Sequence, residues 1–461
     1  MGSPDWFAPF ERKMEDAGLA RVAIDGFRHY VALLRTGERG LVAGRDIEPP
    51  RDLPALADLA AHRAAGERAL GRAAVVKLNG GLGTSMGLAA AKSILPVKDG
   101  LSFLDLIVRQ VLHLRRASGT RLPLVLMNSY RTRADSAAVL ARHPELDAGL
   151  PLDFLQHKVP RIWKADLQPA VWPADPDLEW CPPGHGDIYP ALLTSGLLDA
   201  LLGAGIRWAF VSNADNLGAT LDPAVLGWMA AERVPFVMEV ADRTEADKKG
   251  GHLAVRAGRL LLREVAQCPP EEQGDFQDVG RWRHFNTNNL WVDLEALRDV
   301  LAARGGVLGL PMITNEKPID PADPASPRVL QLETAMGAAI EVFGGARALS
   351  VPRTRFAPVK TTSDLLALRS DAYVLTDDAC VVPSPARTAG PLLVDLDPAH
   401  YRQVPDLDAR FPAGPPSLVG CRRFVVRGDV RFEAGVVATG DVLVEHAGPG
   451  QLVVAAGTRL G

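Results

Sequence analysis

Lysine, cysteine and long apolar runs are what this 461-residue chain has least of. No uninterrupted apolar stretch approaches the roughly 18 residues that a membrane-spanning helix needs, so no transmembrane segment is expected. The start, Met1-Gly2-Ser3-Pro4-Asp5-Trp6, lacks the basic-then-apolar run of a secretory signal, and Trp6 breaks the myristoylation pattern. Cys181, Cys268, Cys380 and Cys421 lie far apart and form no metal-ligand pair, which points to a reduced, cytoplasmic setting. A basic excess is also missing: Lys plus Arg total 51 against 55 for Asp plus Glu, a formal charge of -4. That balance argues against a dedicated nucleic-acid binder. Only ten of the basic residues are lysines, so a lysine inside a motif carries information.

What is present is ordinary globular material, 47% hydrophobic and 23% charged, long enough for roughly three units of typical domain size. Up to about residue 70 the pattern is helical: Phe7, Phe10, Met14 and Leu19 recur near helical spacing, as do Leu56, Leu59, Ala60 and Ala64. Glu48 to Pro54, with three prolines, is a rigid connector between them. The short apolar run Ala73 to Leu78 reads as a buried parallel strand ending in a glycine loop. Ser102 to Arg116 reads as a helix, with Ser102 and Asp105 as a capping box and Phe103, Ile107, Val111 and Leu114 as its stripe. Further strands are expected at Leu122 to Met127 and Trp208 to Ser212, and a helix at Ala134 to His143. Alternation of this kind indicates an α/β domain with a mostly parallel sheet. From about residue 375 the helical patterns stop. Gly428-Asp429-Val430-Arg431-Phe432-Glu433 is echoed by Gly440-Asp441-Val442-Leu443-Val444-Glu445, which fits either two rungs of a β-solenoid or one β-hairpin.

The most informative segment is Leu78-Asn79-Gly80-Gly81-Leu82-Gly83-Thr84-Ser85-Met86-Gly87. Glycines at the carboxyl end of a parallel strand let backbone N–H groups face an anion without Cβ clashes. No Gly-Lys-Ser/Thr closes the loop, so the Walker pattern fails, and Thr84-Ser85-Met86 stands where a dinucleotide loop needs its third glycine. Lys92-Ser93, a little further on, can bring a cation back to phosphates.

Lys77-Leu78-Asn79 through Gly87, followed by Lys92, resembles the nucleotide-binding loop of the UTP–glucose-1-phosphate uridylyltransferases, the UDP-glucose pyrophosphorylases. Later segments match the same family in order: Gln156 to Pro160, Pro182 to Asp187, Ser212 to Gly218 and Lys249-Gly250-Gly251. Phe285 to Trp291, Gln331 to Ala335 and Arg355 to Thr362 continue the series, so the likeness covers most of residues 73–370. The resemblance implies an α/β fold whose core, residues 71–372, is a Rossmann-like nucleotidyltransferase with a mixed, mostly parallel sheet. Residues 1–70 would be a helical N-terminal segment and 373–461 a C-terminal β-rich, β-helix-like domain. In relatives this last region contributes to oligomer contacts, which leaves a homo-oligomer built through it open.

The implied reaction joins UTP and glucose-1-phosphate into UDP-glucose and pyrophosphate. It needs no protein nucleophile if both substrates are held in line and charge is neutralised. The resemblance assigns the triphosphate cradle to Gly80, Gly81, Leu82, Gly83 and Thr84, within the stretch up to Gly87, and catalytic roles to Lys92, Lys360 and Asp215. Asp215 would hold Mg²⁺, which favours one or two carboxylates plus substrate oxygens. Uracil would be read by Gln156 with Met127 and the backbone at Gly184, because an amide offers both donor and acceptor. The sugar phosphate would fall to Lys249, His185, Asn213, Gly251, Glu264 and Asn286. Ala89 and Ala91 depart from the lysine and proline that eukaryotic members carry there. Two other readings stay open: another or broader sugar-1-phosphate specificity, and a nucleotide-sugar-binding protein without catalysis.

Overall fold

The computed structural model describes residues 5–248 and 250–461. Its centre is a mixed sheet of nine strands. From one edge the order is Arg259–Arg263, His252–Arg256, His284–Asp293, Trp208–Asn213, Ala73–Asn79, Leu124–Asn128 and Asp153–Leu155. Phe236–Asp242 pairs with His284–Asp293 and with Arg347–Ser350. The last four strands of that order are mutually parallel, with Val76 opposite both Val125 and Val211. The other half is built mainly from antiparallel pairs.

Parallel strands are covered on both faces, so Ala73–Asn79 reads as an almost unbroken apolar run. Its period of two sends Val75 to one core with Leu124, Phe103, Ile107 and Phe210. Ala74 and Val76 go to the other, with Val125, Leu198, Leu201 and Val211. The helix Phe103–Ser118 covers the first face. It starts on the Ser102–Asp105 capping box and stops at Gly119, whose φ of 68° only glycine adopts readily. Strands Leu124–Asn128 and Trp208–Asn213 and helix Arg133–Leu140 fall where the periodicity places them, with ends shifted by up to three residues.

The front of the chain is helical, with Ala8–Asp16 and Arg21–Arg35 packed through Phe7, Phe10, Met14, Phe27 and Val31. They sit on a small sheet whose Met312, Leu330 and Leu332 complete that core. Leu56–His62 is a 3₁₀ turn rather than an α-helix, and it continues into Arg63–Ala69.

Beyond residue 390 the strands pair in parallel: Cys421–Arg427 with Gly440–Glu445, Val430–Phe432 with Leu452–Val454, and Val437–Ala438 with Arg459–Leu460. Parallel pairing rules out the hairpin. The two echoed segments are not partners of each other, because Val430 faces Leu452 while Val442 faces Phe424. The aromatic rings of Phe411 and Phe432 stack at 4.9 Å beneath these strands, and the first core runs into them without a break.

One buried ion pair binds the sheet to the segment leaving its strand Arg347–Ser350. Glu239 has no exposed surface and accepts from Arg355 Nε at 2.8 Å and Nη2 at 2.6 Å. Asn289 Nδ2 and Trp291 Nε1 satisfy its remaining lone pairs at 3.0 and 2.9 Å. Breaking one partner of such a pair costs about 3–5 kcal/mol, because the other charge stays buried and uncompensated. Glu239→Gln is therefore expected to lower the unfolding free energy by about that amount in a urea titration. A variant within about 0.5 kcal/mol of the parent, the range of a neutral surface change, refutes the assignment.

Candidate functional site

Four parallel strands end on one side of the sheet, and a cleft of about 300 Å³ opens there. Each strand delivers residues to it: Leu78 and Asn79 with Gly80 and Gly81, Met127, Gln156, and Asn213 with Ala214 and Asp215. A ligand cleft beyond the carboxyl ends of parallel strands follows from the topology, since side chains and free N–H groups converge where adjacent connections diverge.

The glycine loop divides in two. Gly80 and Gly81 line the cleft, and a Cβ on Gly80 would stand 2.7 Å from the Gln156 amide oxygen. Leu82, Gly83 and Thr84 lie outside the residues that line it. The reason is local hydrogen bonding. Met86, Gly87 and Leu88 spend their N–H groups on Gly83 and Thr84 carbonyls, Leu82 bridges Ala91, and Lys92 N–H donates to Gly81 O at 3.2 Å. The loop thus folds onto itself and returns Lys92 beside its own beginning. At Ala91 the departure from proline has a use, because its N–H donates to Asp135 Oδ2 at 2.8 Å. Proline has no such donor.

Lys92 Nζ and Asp215 Oδ2 meet at 2.6 Å inside the cleft, both half-buried. Asp215 supplies the one carboxylate among the described lining residues. Its loop is held by Asn216, whose Nδ2 donates to Arg355 O and whose Oδ1 accepts from Ala357 N–H at 3.0 Å. Val359 N–H reaches Asp215 O at 3.3 Å. The segment carrying Lys360 is therefore tied to Asp215 by backbone. The Lys360 ammonium itself is exposed, lies over the Phe356 ring at 5.4 Å, and does not line the cleft.

The turn Pro182 to Asp187 adds Pro182, Gly184 and His185 to the lining. Gly184 has φ of +81°, and a Cβ there would be 2.5 Å from Thr334 O, so backbone meets backbone. His185 Nδ1 accepts the N–H of Met336 at 2.9 Å, which places the imidazole proton on Nε2. Burial pushes the His185 imidazole down to about 4, leaving a neutral donor.

Gly251, Glu264 and Asn286 form a second group. Gly251 O accepts Asn286 N–H at 3.0 Å, and the Glu264 carboxyl packs where a Gly251 Cβ would be. Burial raises that carboxyl to about 7. None of the three lines the cleft, but Gly337 touches the Asn286 amide and follows directly on Met336, which holds His185. The turn Met336-Gly337 is thus the link between the groups. The motif legible in the sequence ends at Ala335, and the glycine just past it is the one local signal of this turn. Ser93 and Pro182 also line the cleft, each beside a motif residue whose chemistry is more conspicuous. Lys249 lies outside the described residues.

A nucleotide-type glycine loop, an ion-paired lysine and aspartate, and a polar wall on a mixed α/β sheet define a nucleotidyltransferase. The family model for "UTP--glucose-1-phosphate uridylyltransferase" matches residues 25–438. The Solanum tuberosum enzyme of that name is 39% identical over 93% of this chain and 90% of its own length. The Saccharomyces cerevisiae one is 40% identical over 81% and 74%. A variant of UDP-glucose pyrophosphorylase from Leishmania major, solved in complex with UDP-glucose, superposes with a TM-score of 0.92 at 44% identity, covering 99% of this chain and 98% of that one. The chain belongs to the UTP–glucose-1-phosphate uridylyltransferase family.

The His185 environment gives a direct check. Because its pKa is depressed in the folded state, the stability tied to its neutrality is full above the ordinary value of 6.5 and is lost as pH falls towards about 4. Nitrogen-detected NMR is expected to show the Nε2–H tautomer from neutrality down to about pH 5. A midpoint near 6.5 contradicts the buried Nδ1 contact.

Proposed function

We infer that the protein transfers uridylyl from UTP to glucose-1-phosphate, giving UDP-glucose and pyrophosphate. The observation that carries this reading is the Lys92–Asp215 pair at 2.6 Å, at the mouth of the glycine loop in a member of this family. In that pair each charge rests on the other. An incoming triphosphate offers Lys92 a stronger anion, which frees the Asp215 carboxylate.

The donor set suits Mg²⁺, which favours one or two carboxylates with substrate oxygens: one carboxylate lies in the cleft, and the described residues hold no group of three or more His, Cys, Asp or Glu placed for a metal. Asp215 would hold the ion, which when bound supplies charge neutralisation at the phosphate oxygens. The chain does the rest. Gln156, Met127 and the Gly184 backbone hold uracil; Gly80 and Gly81 present backbone to the phosphates, and Leu82, Gly83 and Thr84 complete the turn behind them. His185 Nε2–H donates to a sugar hydroxyl, and Asn213, Asn286, Glu264 and Gly251 surround the sugar phosphate.

The attacking oxygen of glucose-1-phosphate already carries charge, so no base is needed. A bond forms from it to the α-phosphorus as the bond to the bridging oxygen breaks, and pyrophosphate leaves in line. Lys92 stabilises the charge that builds on the phosphates. Lys360 reaches them from the rim, along the segment tied to Asp215.

Residues 1–70, 71–372 and 373–461 act in this reading as helical front, transferase core and β-helix-like tail. The three parallel pairings support the tail as two stacked turns. The exposed Leu443 and Val453 on its outer turn support its use in a homo-oligomer. A cytoplasmic enzyme is supported by four free cysteines; no helix among the described residues is long and apolar enough to cross a membrane.

Pyrophosphate release from UTP with a panel of sugar-1-phosphates, with and without Mg²⁺, is expected to require the cation and to be fastest with glucose-1-phosphate. A faster turnover with another sugar shifts the specificity; none with any sugar removes the reading. Lys92→Ala and Lys360→Ala are each expected to cost about 3 kcal/mol in kcat/KM, roughly 100-fold. Unchanged turnover in both sinks the mechanism.

A further inference from the structure

Gln156 and the His185 turn both line the cleft, and a contact outside the cleft joins them. His157 follows Gln156 directly. Its backbone N–H donates to Asp187 Oδ2 at 2.6 Å, and its Nδ1 lies 2.8 Å from Asp187 Oδ1. Its Nε2 lies 2.9 Å from Thr194 Oγ1, so both ring nitrogens are engaged. Asp187 ends the turn His185–Asp187, from which the helix Ile188–Thr194 continues. Thr194 closes that same helix. His157 therefore grips the element at both ends.

The pair is withheld from water, with side chains 11% and 6% exposed for His157 and Asp187. On its far side is a largely apolar cavity of about 70 Å³, lined by Val22, Phe27, Leu308 and Leu310. In such surroundings a carboxylate needs a counter-charge, and a charge-assisted hydrogen bond is roughly twice as strong as a neutral one. The other titratable groups facing the pair do not compete. Tyr30, across the cavity on Arg21–Arg35, is held neutral by burial, as are His185 and Tyr189 on the turn and helix. The Lys158 ammonium is directed over the Trp180 ring at 4.5 Å. The Glu333 side chain packs against Gly184.

We propose that His157 is a positioning residue: with Asp187 it forms an ion-paired clasp that fixes Gln156 relative to His185, so one contact sets the uracil-reading and sugar-reading walls together. The proposal rests on the function inferred above. Burial opposes the charged imidazole, but the bond to Asp187 outweighs it, and His157 titrates above the ordinary histidine value. A raised value means that the ionic part of the clasp is full below about 6.5 and is lost as pH climbs through the His157 titration. Substrate affinity follows it.

The test uses the full chain and its His157→Ala, His157→Asn and Asp187→Asn variants. His157→Ala is expected to raise KM for both UTP and glucose-1-phosphate about tenfold while kcat stays within about threefold, because the walls move and the reacting groups do not. His157→Asn, which keeps a neutral hydrogen bond, recovers most of the loss at alkaline pH and abolishes the rise of KM with pH seen in the parent. In the substrate-free protein, Asp187→Asn lowers the proton affinity of His157 at least about tenfold by imidazole NMR. Unchanged KM values in His157→Ala, a loss confined to kcat, or a KM change for one substrate alone overturns the proposal. So does an unmoved His157 titration in Asp187→Asn. The NMR arm needs no turnover: a parent protein that is inactive fails the inferred function and still leaves the clasp decided by the titration. Should His157→Ala not fold, His157→Asn and Asp187→Asn decide.

Discussion

A carboxylate buried at the centre of a sheet has to be met by every donor within reach, and Glu239 is met by four hydrogen bonds. Two of these come from Arg355, more than a hundred residues further along the chain. Arg355 then offers its carbonyl to Asn216 and Asn289, and Asn216 takes the N–H of Ala357. Three motif segments that are distant in sequence are thereby locked at one point: the Asp215 loop, the asparagine-rich strand His284–Asp293 and the Lys360 segment. The strand adapts to this with a bulge between Glu239 and Val240, and Asn288 takes a φ of +58°. The geometry around Asp215 rests on a neutralised charge that itself touches no substrate.

Lysine scarcity acquires a physical meaning in the same region. Lys77, on the first strand of the parallel block, is wholly buried and donates to Ser212 Oγ and Ala219 O. Burial and the neighbouring Arg355 push it down to about 7. It braces the strand end that carries Asp215, where an ammonium on a flexible stem fits and a planar guanidinium would not. Lys92 is held beside the start of the glycine loop by a self-bonded turn. A chain rich in arginine has kept lysine where a compact, adjustable point charge is required.

The parallel strands, the capped helix Phe103–Ser118 and the glycine loop were legible because their signals are local: a period of two, a capping box, glycines at a strand end. Lys92, Asp215, Gln156 and His185 were legible from their motifs, and they share one cleft. Met336 and Gly337 were not, since their role exists only where His185, on its turn, and Asn286, on its strand, approach the same segment. The echoed Gly-Asp-Val segments near the end show how a repeat misleads. Both recur as strands, yet each pairs in parallel with a different partner, Val430–Phe432 with Leu452–Val454 and Gly440–Glu445 with Cys421–Arg427, so their likeness to each other does not set the pairing.

By itself the sequence determined the α/β alternation, the absence of a Walker or dinucleotide loop, and the family to which the chemistry belongs. These depend on residue type and spacing over short stretches, where backbone preference and hydrophobic period act directly. Only the tertiary structure decided that the glycine loop contributes its first half to the cleft, that Lys92 and Asp215 are paired, and that Lys360 lies exposed over Phe356, outside the lining. It also decided that His157 and Asp187 tie Gln156 to the His185 turn. Such facts turn on where a hydrogen bond or a counter-charge is found across long separations, and burial, which makes an unpaired group costly, settles the choice.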